Sequence, residues 1–156
     1  MKPNSLLYNY QALVINVPGP DAITALVDQG FRSWSMRQFR LAGVQAVSPR
    51  SVPKAERDAA RGLNLAHTMI LNKVLEGKDK KKKNILISPE KPSFAGLFVA
   101  SVFLPVTNMK EHYCIKYAGL ELFDVCAFMR DVCAGRMTQE LALAFIEDVA
   151  PISFSR

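Results

Sequence analysis

Residues 6–17, LLYNYQALVINV, are rich in β-branched and aromatic side chains and stop at Pro18-Gly19-Pro20. That pattern predicts a strand, because the proline-glycine-proline triplet removes ladder amides and breaks the run. Residues 21–28 predict a second strand, with Ile23, Ala25 and Val27 alternating against Ala22, Thr24 and Leu26. Both faces are apolar or nearly so, which suits a closed barrel. Gln29-Gly30 reads as a short turn, with Gly30 free to take positive φ. Residues 31–44 predict a third strand, long enough to bend, in which Gly43 serves as a bulge or a close-approach point.

Residues 45–53 carry Ser48, Pro49, Ser51 and Pro53 and read as a loop. A long helix follows over 53–76, where Ala59, Leu63, Ala66, Ile70, Leu71 and Val74 recur at helical steps and Pro53 suits the first turn. Gly77 is its expected stop. Residues 84–88 and 95–104 predict two more strands, the second ended by Pro105, and 113–123 a small hairpin around Ala118-Gly119. Short helices are expected over 125–134 and 138–149, the last capped by Thr138. Strands come first and in series, without strand–helix alternation, which argues against a parallel doubly wound sheet. The order predicts an α+β, mainly β fold: a five-stranded OB-type barrel with one long and two short helices. The length of 156 residues predicts a single domain over 1–156, with its core in about 6–149.

Charge changes this picture at one place. The chain has 20 Lys+Arg against 14 Asp+Glu, a net charge of +6. Lys80, Lys81, Lys82 and Lys83 are consecutive in a lysine-rich loop over 77–83, and without them the excess falls to +2. Hydrophobic content of 49% and charged content of 22% exclude a disordered chain. No apolar stretch has the length of a membrane span, and Met1-Lys2-Pro3-Asn4 does not begin a signal peptide, so no membrane association is expected. Cys114, Cys126 and Cys133 are odd in number, form no C-x-x-C pair and read as buried structural thiols of a reducing compartment. His67 and His112 stand at no metal-ligand spacing, so neither a metal nor another cofactor is expected. His67 reads as a partly buried structural residue of the long helix.

The stretch VINVPGPDAITALVDQGFRSWSMRQFRLAGVQAVSP resembles the staphylococcal-nuclease-like (thermonuclease) family. In that family a first strand ends in Asp-Gly-Asp-Thr, a second often ends in Asp-x-Gly-Phe, and a third in Arg-Leu-x-Gly-Ile-Asp-Ala/Thr-Pro-Glu. Here Asp28-Gln29-Gly30-Phe31 and Phe39-Arg40-Leu41-Ala42-Gly43-Val44 match at matching spacing. ASVFLP, over 100–105, resembles the strand after the family's second arginine, and the resemblance covers roughly 6–105, with 124–134 a weaker match to the next helix.

The resemblance implies a nuclease barrel whose chemistry has been dismantled. The family holds Ca²⁺ with two Asp carboxylates, activates water with a Glu and stabilises the phosphate with two Arg. In this chain Asp21 and Arg40 match family site positions. The other positions read Gly19 and Gln45 for the metal carboxylates, Ser48 for the Glu and Leu97 for the second Arg. A calcium site with one carboxylate binds weakly, and loss of the general base alone lowers the rate by roughly 10²–10⁴-fold. The expectation is therefore no catalytic residues and no enzyme. Arg40 is either a relic phosphate contact or the partner of Asp21 in an ion pair.

Arg32, Arg37, Arg40 and Arg50 add positive charge around the third strand, with Phe31, Trp34 and Phe39 among them. Aromatics interleaved with basic residues are what single-strand binders use for stacking. Trp34 and Phe39 are five positions apart, so an unbroken strand sends them to opposite faces, and Phe39 is expected in the core. The leading functional expectation is a non-catalytic nucleic-acid-binding module, using Arg32, Trp34, Arg37, Arg40, Arg50 and the lysines at 80, 81, 82 and 83. The second is a protein-interaction module, an adaptor, inhibitor or assembly component. The third is a nuclease with a rearranged site. Stand-alone domains of this appearance occur in bacteria and their phages, which implies a cytoplasmic setting.

Overall fold

The alternation of Ile23, Ala25 and Val27 decides which side of the second strand faces inward: all three are buried, while Thr24 and Leu26 are only partly covered. The structure, a computed structural model, describes residues 9–46, 48–76, 84–92, 98–106, 113–117 and 119–147. Its strands are β1 (Tyr10–Gly19), β2 (Ala22–Asp28), β3 (Trp34–Leu41), β4 (Asn84–Pro92), β5 (Phe98–Val106), β6 (Cys114–Tyr117) and β7 (Leu120–Asp124). Its helices are α1 (Arg57–Glu76), α2 (Val125–Cys133) and α3 (Gln139–Glu147).

The sheet runs β3-β2-β1-β4-β5, and β3 then pairs with β5 in parallel, closing a five-stranded OB-type barrel. The other pairings among the described residues are antiparallel. Among the described residues the closing seam joins Phe39 to Phe98, Arg40 to Val99 and Leu41 to Ala100, and the Ala42 amide extends it with a bond to the Ala100 carbonyl at 2.9 Å. Inside the barrel, Ala12, Ala25 and Ala100 leave room for Val14, Ile23, Phe39, Leu41, Ile85, Ile87 and Val102. Small residues beside large ones are what a narrow barrel needs to fill its taper.

Helix α1 covers the core with Ile70, Leu71, Val74 and Leu75, each buried, at the helical spacing of the sequence. Fully burying such a side chain contributes about 1.5–3 kcal/mol. His67 is also buried, and burial holds its imidazole below the usual histidine range, in its neutral form. Helix α2 starts at Asp124, whose Oδ1 accepts the Ala127 amide at 3.1 Å. Thr138 caps α3 as its sequence position predicts, with Oγ1 accepting the Leu141 amide at 3.1 Å.

Several boundaries differ from the expected ones. The third strand is Trp34–Leu41 rather than 31–44, because the turn after Gly30 continues through Phe31 and Arg32 in left-handed backbone, with φ of 53° and 60°. The long helix opens with a single 3-10 turn, Lys54–Glu56, and a second such turn, Pro49–Ser51, lies in the expected loop. The fourth strand passes Pro89 and continues to Pro92, its register slipping between Pro89 and Lys91. A bulge there absorbs the missing proline donor. The hairpin β6–β7 forms around Gly119 and adds to β5, making the sheet seven-stranded. It covers a second small cluster of Leu86, Phe103 and Leu122, with Ile115 against it. Among the described residues no helix is long and apolar enough to cross a membrane. The lysine loop and Leu97 lie outside the described residues.

Candidate functional site

At the closed end of the β1–β2 ladder, Arg40 reaches back to Asp21, its guanidinium 3.6 Å from the carboxylate. Both residues are partly solvated, so this pair contributes little to stability, about 0–1 kcal/mol. It leaves Asp21 facing a cation within its own fold. A Cβ at Gly19 would stand 3.4 Å from the Asp21 carboxylate, an ordinary contact, so the Asp21 side chain lies beside the end of β1. Gln45 is exposed, and Ser48 precedes the Pro49–Ser51 turn, its carbonyl accepting the Ser51 amide at 3.0 Å and the Ser51 hydroxyl at 2.8 Å. Among the described residues no three His, Cys, Asp or Glu side chains gather where they would hold a metal ion.

Strand β3 divides the expected binding residues between its two sides. Trp34, Met36, Gln38 and Arg40 face outward, whereas Arg37 shares the inner side with Phe39 and Leu41. Phe39 is buried, as the alternation predicts. On the outer side Met36 sits opposite Leu26, which in turn sits opposite Leu13. Leu13, Leu26, Trp34 and Asn84 form a shallow groove of about 320 Å³ there. Arg32 stands in the entry turn to this strand. Arg50 does not join the group on β3: its 3-10 turn packs beside α1.

The turn itself is unusual in its backbone. Gly30, Phe31 and Arg32 are all left-handed. For a residue with a Cβ this conformation costs roughly 1–2 kcal/mol. Three hydrogen bonds of 2.9 Å hold it: the Gly30 amide donates to Asp28 Oδ1, the Ser33 amide to the Gly30 carbonyl, and the Gln29 amide to the Ser33 carbonyl. The result presents the Phe31 ring wholly to solvent, at 105% relative exposure.

Beside this turn the barrel is open. Tyr10, Val27, Gln29, Arg37, Phe39 and Phe98 surround a cavity of about 360 Å³. It lies at the opposite end of the β1–β2 ladder from the Asp21–Arg40 pair. A second, more polar cavity of about 280 Å³ lies between the exit of β3 and α2, lined by Gly43, Glu90, Ser101, Asp124 and Arg130. There the Ser101 hydroxyl donates to Glu90 at 3.0 Å, and burial pushes the Asp124 carboxyl up. Sequence reasoning did not find this cavity, because its residues come from four separate segments with no shared motif.

Family models, curated proteins and solved structures were compared with the chain, and none matches it.

The cysteines add no reactive group to the site. Burial pushes the Cys126 thiol up to about 12 and the Cys133 thiol up to about 11, the latter reinforced by the Asp21 charge. Cys114 is raised as well, by burial and then by Glu121. A thiol held in its neutral form is a poor nucleophile.

Proposed function

We propose that this chain is a catalytically inactive, staphylococcal-nuclease-like barrel that binds single-stranded nucleic acid. The supporting observation is the composition of β3 and its entry turn. Trp34, Met36 and Arg40 are presented outward, Phe31 and Arg32 stand in the turn before them, and Arg37 lies on the other side of the strand at the cavity. Aromatic faces stack on unpaired bases whatever their identity, and arginines neutralise the phosphates between them. The inactivity follows from Gly19, Gln45, Ser48 and Leu97 standing where the family it resembles carries its metal ligands, base and second arginine. The ion pair that Asp21 makes with Arg40 ties up the two residues that match the family's pattern. A bacterial or phage cytoplasm is the setting proposed, again from that resemblance.

The test is a salt-titrated binding assay with short single strands, run beside a cleavage assay in Ca²⁺, Mg²⁺ and Mn²⁺. Micromolar or tighter binding without cleavage is expected. Arg32→Gln and Arg37→Gln each remove one cation from a phosphate, and each should reduce the log–log salt slope by about 0.7, whereas Arg40→Gln, whose charge is paired with Asp21, should change it less. Absence of binding at low salt removes the basis of the reading, and metal-dependent cleavage replaces it with that of a nuclease.

One observation favours a second reading, a protein-interaction module. Leu65 and Met69 are one helical turn apart on α1 and both exposed, and Leu141 on α3 is exposed too. Solvent-facing apolar side chains on helices are suited to a protein partner. A stoichiometric protein complex that survives nuclease treatment, and is abolished in Leu65→Lys with Met69→Lys, would support it.

A further inference from the structure

We propose that the open mouth of the barrel is a pocket for a single unpaired nucleobase, with Arg37 on its neighbouring phosphate. This rests on the single-strand reading above, and it places the base at a site away from the Asp21–Arg40 end of the barrel.

The first observation is Arg37 itself. It stands on the inner side of β3, in the row that contributes Phe39 and Leu41 to the core. An inward arginine on a barrel strand has to reach water or a partner. Arg40, three residues on, is paired with Asp21, whereas no carboxylate partner of Arg37 occurs among the described residues. Its guanidinium serves the mouth, where it meets solvent.

The second is the lining. Phe39 is buried and fixes the Phe98 ring at a centroid distance of 6.3 Å. Phe98 and Tyr10 remain partly exposed, at 36% and 38%, and flank the opening. Gln29 contributes an amide, which both donates and accepts, the equipment needed for the hydrogen-bonding edge of a base. A cavity of about 360 Å³ is at the small end of ligand pockets and has room for one nucleoside-sized group.

The third is access. Tyr10, Gln29, Arg37 and Phe98, all on the lining of the cavity, are each exposed to solvent, so the cavity opens outward at the rim where β1 begins and β2 ends. A strand passing over that rim can turn one base into the cavity. The left-handed turn supplies the adjacent stacking ring, Phe31, and a second phosphate contact, Arg32. Backbone strain held by several hydrogen bonds is a common feature of ligand clamps.

The full chain would be titrated with a fluorescein-labelled short oligothymidylate and with the same sugar-phosphate backbone lacking its bases. The expected result is at least about tenfold tighter binding of the base-bearing strand, the effect of one or two stacked bases. Tyr10→Leu with Phe98→Leu should remove that preference while keeping an apolar mouth. Arg32→Gln should weaken both strands alike. Equal affinity of the two strands for the unmodified chain overturns the pocket and leaves the single-strand reading standing. So does a preference that persists in the double variant. Failure of both strands to bind overturns the pocket and that reading together.

Discussion

Arg130 lies across Gly43, its Cδ 2.9 Å from where a Cβ on that glycine would stand. Gly43 has a φ of 74°, and the Arg130 Nε donates to the Cys126 carbonyl at 3.3 Å. The glycine is therefore required twice, once by its backbone and once by the side chain above it. Gly43→Ala should destabilise the chain by about 1–3 kcal/mol, combining left-handed strain with displacement of the arginine. Urea unfolding would measure it. Adding Arg130→Ala should recover only the steric part, because the backbone part has no dependence on Arg130.

Tyr113 and Asp131 are linked in a different way. The Tyr113 hydroxyl donates to Asp131 Oδ2 at 2.5 Å, and Arg136 pairs with Oδ1 at 3.0 Å. The bond from Tyr113, then that from Arg136, holds the Asp131 carboxyl below its usual value of 3.8. Burial first, then Asp131, pushes the Tyr113 hydroxyl from 10.0 up to about 12. The signs are opposite. Asp131 binds its proton more weakly when folded, so its contribution is complete above its ordinary value and is lost as pH falls through the folded one. Tyr113 holds its proton more tightly when folded, so its contribution is complete below pH 10 and is lost as pH rises to about 12. Tyr113→Phe should cost about 1 kcal/mol at neutral pH and remove the Tyr113 share of the alkaline loss, leaving that of the buried thiols. It should also make the acid loss shallower, since Arg136 still pairs with Asp131. Urea midpoints across pH would check this.

Phe31 offers a separation of stability from binding. Glycine relieves left-handed strain of roughly 1–2 kcal/mol but loses more entropy on folding, so Phe31→Gly should gain about 0.5–1 kcal/mol. The same change should weaken binding of oligothymidylate severalfold. Thermal melting and the binding titration read the two effects independently.

The raised thiols predict slow chemistry. With Cys133 at about 11 and Cys126 at about 12, native alkylation by iodoacetamide at pH 8 should be slower than in the urea-unfolded chain by about 100-fold or more at Cys133, and by a further factor of about ten at Cys126. Mass spectrometry of the modified cysteines would measure each site.

What was legible in the chain was local alternation and punctuation. The alternation of Ile23, Ala25 and Val27 against Ala22, Thr24 and Leu26 could be read, though not which face turns inward; Phe39 could be separated from Trp34 and Thr138 recognised as a cap, because each depends on neighbours a few residues away. The left-handed Phe31 and Arg32 were not legible, since nothing in those side chains favours that backbone; hydrogen bonds among residues 28–33 impose it. Passage of β4 through Pro89 depends on a bulge against β5, a long-range fact. The same holds for the candidate site. The basic and aromatic content around β3 could be read, but its division between Arg37 at the mouth and Arg40 on Asp21 follows from register with β2. The polar cavity at Glu90, Asp124 and Arg130 has no sequence signal, because only the closed barrel assembles it.

The pairing of β3 with both β2 and β5 has a mechanical consequence. At Phe39, Arg40 and Leu41 the strand is held on both edges, so it cannot be peeled away without opening two ladders at once. The Asp21–Arg40 pair sits beside this joint, at the end of the barrel that is stitched on both sides. A strand clamped in this way behaves as the clasp of a bracelet, and loosening it would release the whole ring rather than one link.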